Sequence, residues 1–138
     1  MPTAQHQTGV ALKNSAPIFL ARVVGNDGSY LQQANLSSIA YGIFSLNPND
    51  PDSETAVTGH SAVSLTIASV VWDTLQSDAL WMNDDGEYVD ATGYNFRFQP
   101  SIASNQAFPV AGVEYLVRVT MTPSSGQKIV VCWKVRCI

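Results

Sequence analysis

Three segments of the chain, 63–71, 113–121 and 128–137, alternate apolar and polar residues almost position by position. A period of two predicts β-strands with one buried face and one face in water. The last two segments are separated by a short run that contains Pro123 and Gly126, so they are expected to form a hairpin of long antiparallel strands. This alternation limits the chain to sheet architectures more firmly than any other feature.

Other extended segments raise the number of strands. They are 18–24, a short return at 30–31, and 38–46, 87–89 and 93–99. Asp27 and Gly28 separate the first two and favour a tight hairpin turn. The run 47–52 carries two prolines and four turn-forming residues, and it is expected to end the strand before it without continuing a ladder.

Seven or eight strands at this spacing predict an all-β, antiparallel, immunoglobulin-like sandwich over residues 17–138. The segment 72–81 lacks strand alternation and predicts one short helical turn, capped by Asp73. Residues 1–16 are polar and form an N-terminal arm. The predicted core contains Ile43, Leu65, Ile67, Phe96, Val117, Val119, Val131 and Trp133.

The charges are few and unevenly placed. Charged residues make up 13% of the chain, whereas a typical soluble domain has about 25%. Residues 50–90 contain nine acidic and no basic residues, and residues 97–138 contain five basic residues and one acidic residue. The two halves either pair within the fold or give the subunit an acidic end and a basic face that orient its neighbours. A net charge of −4 argues against a nucleic-acid partner.

Residues that could support catalysis are scarce. His6 lies in the arm, and His60 lies in a Gly59-His60-Ser61-Ala62-Val63 run that begins like a nucleophile elbow but has Val63 where the last glycine belongs. We therefore expect a loop histidine and serine before a strand, and assign no catalytic residue. Cys132 and Cys137 lie five apart on one predicted strand, so their side chains should point to opposite faces and remain reduced.

One loop offers oxygen ligands of the kind calcium prefers. The candidate ligands are Asn83, Asp84, Asp85, Glu87 and Asp90. The loop does not fit the EF-hand register, because alignment on Gly86 places Trp81 at the first position and Thr92 at the twelfth. A solvated acidic turn is the preferred interpretation, so no cofactor or metal is predicted, with calcium as the alternative.

The remaining candidate residues concern partners. Val10 and Leu12 are apolar anchors in the polar arm and are predicted to bind another protein chain. Trp72 and Trp81 would stack on sugar rings if they were exposed, but they are expected to plug one end of the sandwich. We find neither a signal peptide nor an apolar run of the ~20 residues that a membrane helix needs, so a membrane partner and export are not expected.

A short segment and a long run of the chain each resemble known proteins. The segment from Asp90 through Tyr94 to Phe96 resembles the tyrosine corner of immunoglobulin domains, with Phe96 in place of the core cysteine. The run 18–138, with its Ala-Arg-Val-Val-Gly-Asn-Asp-Gly opening, its 92–96 segment and its 115–137 hairpin, resembles small immunoglobulin-like β-sandwich proteins of tailed phages.

That resemblance implies a non-enzymatic virion subunit of the capsid-decoration, adaptor or tail-accessory type. Such a subunit is assembled in the host cytoplasm, and its partners are copies of itself or other virion proteins. The alternative is a β-sandwich binding module for carbohydrate or a cell-surface ligand, and a small hydrolase is a more remote third interpretation. An assembly subunit should use its arm and rim loops, whereas a sugar module should expose Trp72 or Trp81.

Overall fold

The computed structural model describes residues 7–76 and 93–138, and within them it shows a sandwich of a six-stranded and a three-stranded sheet. The strands are β1 (Gln7–Ala11), β2 (Phe19–Ala21), β3 (Leu36–Asn47), β4 (Asp50–Ala56), β5 (Val63–Leu65), β6 (Val71–Gln76), β7 (Tyr94–Phe98), β8 (Glu114–Pro123) and β9 (Ile129–Cys137). A 3₁₀ turn at Gln33–Asn35 and one helical turn, α1 (Ile67–Val70), complete the fold. The predicted all-β sandwich is confirmed.

The larger sheet has the strand order β1-β9-β8-β3-β4, and β5 also pairs with β3. The predicted C-terminal hairpin is confirmed, since β8 and β9 pair from Glu114 with Arg136 to Met121 with Ile129. All neighbours in this sheet are antiparallel except β1, which pairs in parallel with β9.

The smaller sheet, β2-β7-β6, covers one face of the larger sheet. The Trp133 ring lies between the two layers, with its centroid 5.3 Å from that of Phe19 and 5.9 Å from that of Phe96. Of the predicted core, Ile43, Phe96, Val117, Val119 and Trp133 are buried, and Leu65, Ile67 and Val131 are partly buried against them.

The segment 63–71 is not the single strand predicted. It forms β5 beside β3, then turns through α1, and enters the smaller sheet at Val71. Because the chain changes sheets here, its buried face changes too, and the alternation in the sequence does not correspond to one ladder.

The helical turn predicted at 72–81 is also misplaced. Residues 72–76 belong to β6, and 77–81 lie outside the described residues, as does the strand predicted at 87–89. Asp73 does not cap a helix of its own segment. Its Oδ1 accepts a hydrogen bond from the Gln33 backbone N–H at 2.7 Å, so it caps the 3₁₀ turn 40 residues away.

The prolines of the run 47–52 predicted that the ladder would end there, and this prediction is wrong. The chain re-enters it at Asp50 after a two-residue connection, and β4 pairs with β3. The register shifts beside Asn47, and β4 is an edge strand in the described structure. Proline is tolerated on edge strands and at bulges, which explains Pro51.

The predicted Asp27-Gly28 turn is confirmed. Val24 and Tyr30 form an antiparallel bridge, and the Gly25 N–H donates to the Ser29 carbonyl at 2.8 Å. Gly28 has a φ of +85°, which residues with a Cβ rarely adopt.

Candidate interaction surface

Part of the predicted arm lies on the body of the chain. Residues 7–11 form β1, in register with β9 so that Val10 lies beside Arg136 and Ala11 beside Cys137. Ala11 is buried in the common core. His6 and the rest of residues 1–6 lie outside the described residues.

The backbone of β1 presents an open edge. The Ile138 N–H donates to the Ala11 carbonyl and the Lys13 N–H donates to the Ile138 carbonyl, both at 2.9 Å. Backbone groups of successive residues in a strand point to opposite sides, so those of Thr8 and Val10 point away from β9. The strand ends at Ala11, and the Leu12 carbonyl accepts a hydrogen bond from the Ser15 N–H at 3.1 Å. Within 7–76 and 93–138 no strand pairs with that side of β1.

Apolar side chains line the same edge. Val10 is 63% exposed, Leu12 64% and Ile138 55%, and the register places all three at one corner of the outer face. We call these three residues the β1 patch. Val10 and Leu12 are the predicted partner-binding residues, and the structure brings them together. Ile138 was not identified from the sequence. It could have been noticed, because it is apolar at a position where the alternation along β9 predicts a polar, outward-facing residue.

A groove extends the edge into the side of the sandwich. It has a volume of about 200 Å³ and runs between β1 and β2, with Gly9, Phe19 and Trp133 among its lining residues. Ile18, 46% exposed, also lines it. The open edge of β1 therefore adjoins an apolar groove.

Basic residues surround this edge. Lys134 pairs with Glu114 at 3.2 Å. Lys13 and Arg136 are exposed and make no ion pair with any residue of the described part. Free positive charge is thus concentrated beside β1.

The opposite edge of the sheet, β4, is acidic. Glu54 binds Arg118 through two hydrogen bonds of 3.1 Å, which joins the acidic and basic halves of the chain as the first interpretation of the charges expects. Asp50 and Asp52 are exposed and have no basic partner among the described residues. The fold therefore neutralises part of the segregated charge and leaves the remainder at two opposite edges.

His60 lies in the loop before β5, as predicted, and its side chain is buried. Its Nδ1 lies 2.8 Å from the Tyr41 hydroxyl, and its Nε2 lies 2.9 Å from the Asn105 carbonyl oxygen. A carbonyl oxygen only accepts, so Nε2 carries the proton and Nδ1 accepts from Tyr41. Burial raises the pKa of Tyr41, which keeps its hydroxyl protonated. His60 therefore cross-links the fold, and both of its nitrogens are occupied.

Gly59 allows this cross-link to form. Its φ is +81°, and a Cβ at this position would overlap the Asn105 side chain. The close packing of these two loops therefore explains why a glycine occupies position 59, at the start of the run that begins like a nucleophile elbow.

A second groove, of about 560 Å³, lies between the β3-β4 end and the loop before β8. Its lining includes Asn105, Gln106 and Tyr115. The Tyr115 side chain is buried, and its hydroxyl accepts a hydrogen bond from the Val110 N–H at 3.1 Å. This contact from a tyrosine to backbone five residues upstream is of the kind predicted at Tyr94. The Tyr94 ring contacts Trp72 edge-on, and residues 77–92 upstream of Gly93 lie outside the described part of the chain.

Both cysteines are free, which confirms that prediction. Burial raises the pKa of Cys132, and the nearby Arg118 guanidinium opposes that effect. Burial also raises the pKa of Cys137, whose Sγ lies 3.7 Å from the Phe108 carbonyl oxygen. Activation of a thiol as a nucleophile requires a lowered pKa, and both of these shifts are in the opposite direction.

The calcium candidates Asn83, Asp84, Asp85, Glu87 and Asp90 lie outside the described residues, as does Trp81. Within 7–76 and 93–138 no three His, Cys, Asp or Glu side chains are grouped to hold a metal ion. No helix in the same residues is long and apolar enough to cross a membrane. Comparisons with protein-family models, curated proteins and solved structures give no match.

Proposed function

We propose that the protein is a non-enzymatic virion structural subunit, of the capsid-decoration, adaptor or tail-accessory kind, that binds other protein chains through β1. The observation that supports this proposal most directly is the outward-facing backbone of β1 at Thr8 and Val10, next to the exposed apolar side chains of Val10 and Leu12. Backbone hydrogen bonds supply affinity when a strand is added to a sheet edge, and side chains supply selectivity.

The edge is suited to strand addition. Thr8, Gly9 and Val10 carry no charge, and β1 keeps an unbroken register with β9 over five residue pairs. Exposed, regular and uncharged edges pair readily with other chains, so monomeric proteins usually protect them with charges, prolines or bulges. Residues 7–11 carry none of these protections.

The chemistry of the described residues supports a non-enzymatic role. The His60 nitrogens are both hydrogen-bonded inside the fold, and the pKa values of both thiols are raised. A general base needs a free nitrogen within reach of a substrate proton, and His60 offers none without breaking a buried contact.

The sugar-binding alternative has less support. Trp72 is half-buried and packs edge-on against Tyr94, at a centroid distance of 6.0 Å. The larger groove has one aromatic residue in its described lining, Tyr115, and that ring is 2% exposed. Stacking on a sugar requires an exposed aromatic face.

The test is incorporation into purified phage particles from cells that express tagged variants. Val10→Pro removes an outward N–H without removing a bond to β9, whereas Val10→Thr keeps the N–H and removes apolar surface. Val130→Thr is the matched control, because Val130 is also an exposed valine of the larger sheet but lies away from β1.

We expect the wild-type chain and Val130→Thr in the particles at equal abundance, Val10→Thr at reduced abundance, and Val10→Pro to be lost. Circular dichroism should show that all four chains are folded. Absence of the wild-type chain from the particles, or incorporation of Val10→Pro at the wild-type level, would contradict the proposal.

A further inference from the structure

We propose that the partner of the β1 edge is the β4 edge of a second copy of this chain, so that copies associate head to tail and extend the larger sheet. This inference rests on the proposed function and names the partner of the same edge. Both edges belong to one sheet, at the two ends of the order β1-β9-β8-β3-β4.

Strand directions favour the arrangement. β4 is antiparallel to β3, β3 to β8 and β8 to β9, while β1 is parallel to β9. β4 and β1 of one copy therefore run in opposite directions. A copy placed beside the first without being turned over then brings its β1 antiparallel to β4, which is the favoured pairing of strands.

The two edges also lie at the same height on the sheet. Val10 is in register with Arg136, and Arg136 with Glu114. Ser45 pairs with Tyr115, so the next residue along β3, Leu46, lies opposite Glu114. Leu46 also pairs with Glu54 on its other side. Residues that lie opposite one another in this way form a row across the sheet. Val10 and Glu54 therefore share one row across the sheet, roughly 19 Å apart at four strand spacings. A side-by-side copy places Glu54 next to Val10 with no shift along the strands.

Charge complementarity selects this pairing. In the same alignment Asp50, which pairs with Asn47, falls in the row of Cys137 and Ala11, so the Asp50 end of β4 lies beside the Ala11 end of β1. That end carries Asp50 and Asp52, and the facing end carries Lys13 and Arg136. All four are exposed, and none has an ion pair within the described residues.

The same acids exclude a competing arrangement. Two β4 edges brought together would place Asp50 and Asp52 against their own copies, and like charges at an interface oppose association. Pro51 and the register shift beside Asn47 also limit regular pairing to the Glu54–Ala56 part of β4. Charge therefore supplies most of the specificity, and a short ladder fixes the alignment.

Such a contact uses different surfaces on the two copies. An interface of this type closes into a ring or continues as an open array, according to the rotation between copies. An edge-to-edge contact of one strand pair is small, so we expect weak association that falls as salt screens the charges.

The experiment exchanges the charges of the two edges. One variant carries Asp50→Lys and Asp52→Lys, so both of its edges are basic. The other carries Lys13→Glu and Arg136→Glu, so both of its edges are acidic. Mixed one to one, each basic β4 faces an acidic β1 and each acidic β4 faces a basic β1. Sedimentation velocity at low salt measures the association, and near-ultraviolet circular dichroism checks the fold of each variant.

We expect the wild-type chain to self-associate, each variant alone to associate about tenfold or more weakly, and the mixture to recover wild-type association. Recovery would show that both variants are folded and that the edges pair with each other. A mixture that stays monomeric, or a wild-type chain that stays monomeric at low salt, would overturn the inference.

The two proposals fail in different ways. If the chain is found in particles and depends on Val10 but the charge-exchanged mixture does not associate, the β1 partner is another virion protein and only this inference is wrong. If the mixture associates but the chain is absent from particles, the edge pairing stands and the virion function is wrong.

Discussion

The carboxamide of Asn95 makes two hydrogen bonds to the backbone of Val23. Its Oδ1 accepts from the Val23 N–H at 2.7 Å, and its Nδ2 donates to the Val23 carbonyl at 2.9 Å and to the Leu31 carbonyl at 3.1 Å. Asn95 is 2% exposed. The side chain thus substitutes for a strand partner and fastens the 24–30 hairpin to β7.

Replacing Asn95 with Leu should destabilise the fold strongly, because the Val23 N–H and the Leu31 carbonyl would lose their partner in a dry environment. The Val23 carbonyl would keep only its bond from the Leu31 N–H. We expect a loss of about 2–4 kcal/mol in the free energy of unfolding, measured by urea denaturation. Gln106→Ala, at an exposed amide, should change it by less than about 0.5 kcal/mol. Equal effects of the two substitutions would show that the Asn95 bonds do not hold the hairpin.

Tyr41→Phe tests the His60 cross-link. The substitution keeps the ring, which contacts Phe98 at a centroid distance of 4.5 Å, and leaves the buried His60 Nδ1 without a donor. The expected loss is about 1–3 kcal/mol in the free energy of unfolding. Tyr30→Phe, at an exposed ring, is the matched control and should have little effect. A Tyr41→Phe variant as stable as the control would contradict the assigned hydrogen bond.

Stability should fall at alkaline pH. Burial raises the pKa values of Tyr41 and Tyr115 above 10.0 and those of Cys132 and Cys137 above 9.0. The native state then holds protons that the unfolded chain releases, so the free energy of unfolding decreases as pH rises and is unaffected by these groups below about pH 9. Urea denaturation from pH 8 to 11 should show this decline, and Tyr41→Phe should make it shallower than Val130→Thr does.

The parts of the fold that the sequence predicts best are strands with one wet and one buried face. β8 and β9 alternate at nearly every position because neighbouring residues meet opposite environments. β4 carries no such signal, since its residues from Asp52 to Thr55 are all polar and exposed. The alternation over 63–71 gave a wrong prediction for a different reason. The chain passes from the larger to the smaller sheet between β5 and β6, so its buried face changes within the segment.

The candidate surface was predictable only in part. Val10 and Leu12 are conspicuous as apolar residues in a polar segment, whereas Ile138 becomes relevant only through the parallel pairing of β1 with β9. The burial of His60 depends on Tyr41 and Asn105, which are 19 and 45 residues away in the chain. Sequence spacing carries no information about contacts of that range.

The Arg118 and Glu54 pair should contribute modestly. Their side chains are 35% and 32% exposed, so water screens the attraction, although the Arg118 guanidinium also lies 5.0 Å from the Phe44 ring centroid. We expect Glu54→Gln to cost about 0.3–0.7 kcal/mol and Arg118→Ala about 1 kcal/mol, since the latter also loses the ring contact. A double-mutant cycle should give a coupling energy that decreases in high salt, and a salt-independent coupling would contradict a mainly electrostatic contribution.

Removal of β1 should destabilise the body of the protein. Deleting residues 2–14 takes away the ladder to β9 and uncovers Trp133, Val135 and Cys137, which β1 adjoins. Lost burial and lost hydrogen bonds should cost about 2–4 kcal/mol, which for a domain of this size lowers Tm by roughly 5–15 °C. Deleting residues 2–6 is the control, since it leaves β1 in place. Calorimetry should give that chain a Tm within about 2 °C of the wild type, and the longer deletion a clearly lower one. Equal melting of the two truncated chains would mean that β1 contributes nothing to the fold, and that residues 7–11 act as an arm independent of the sandwich.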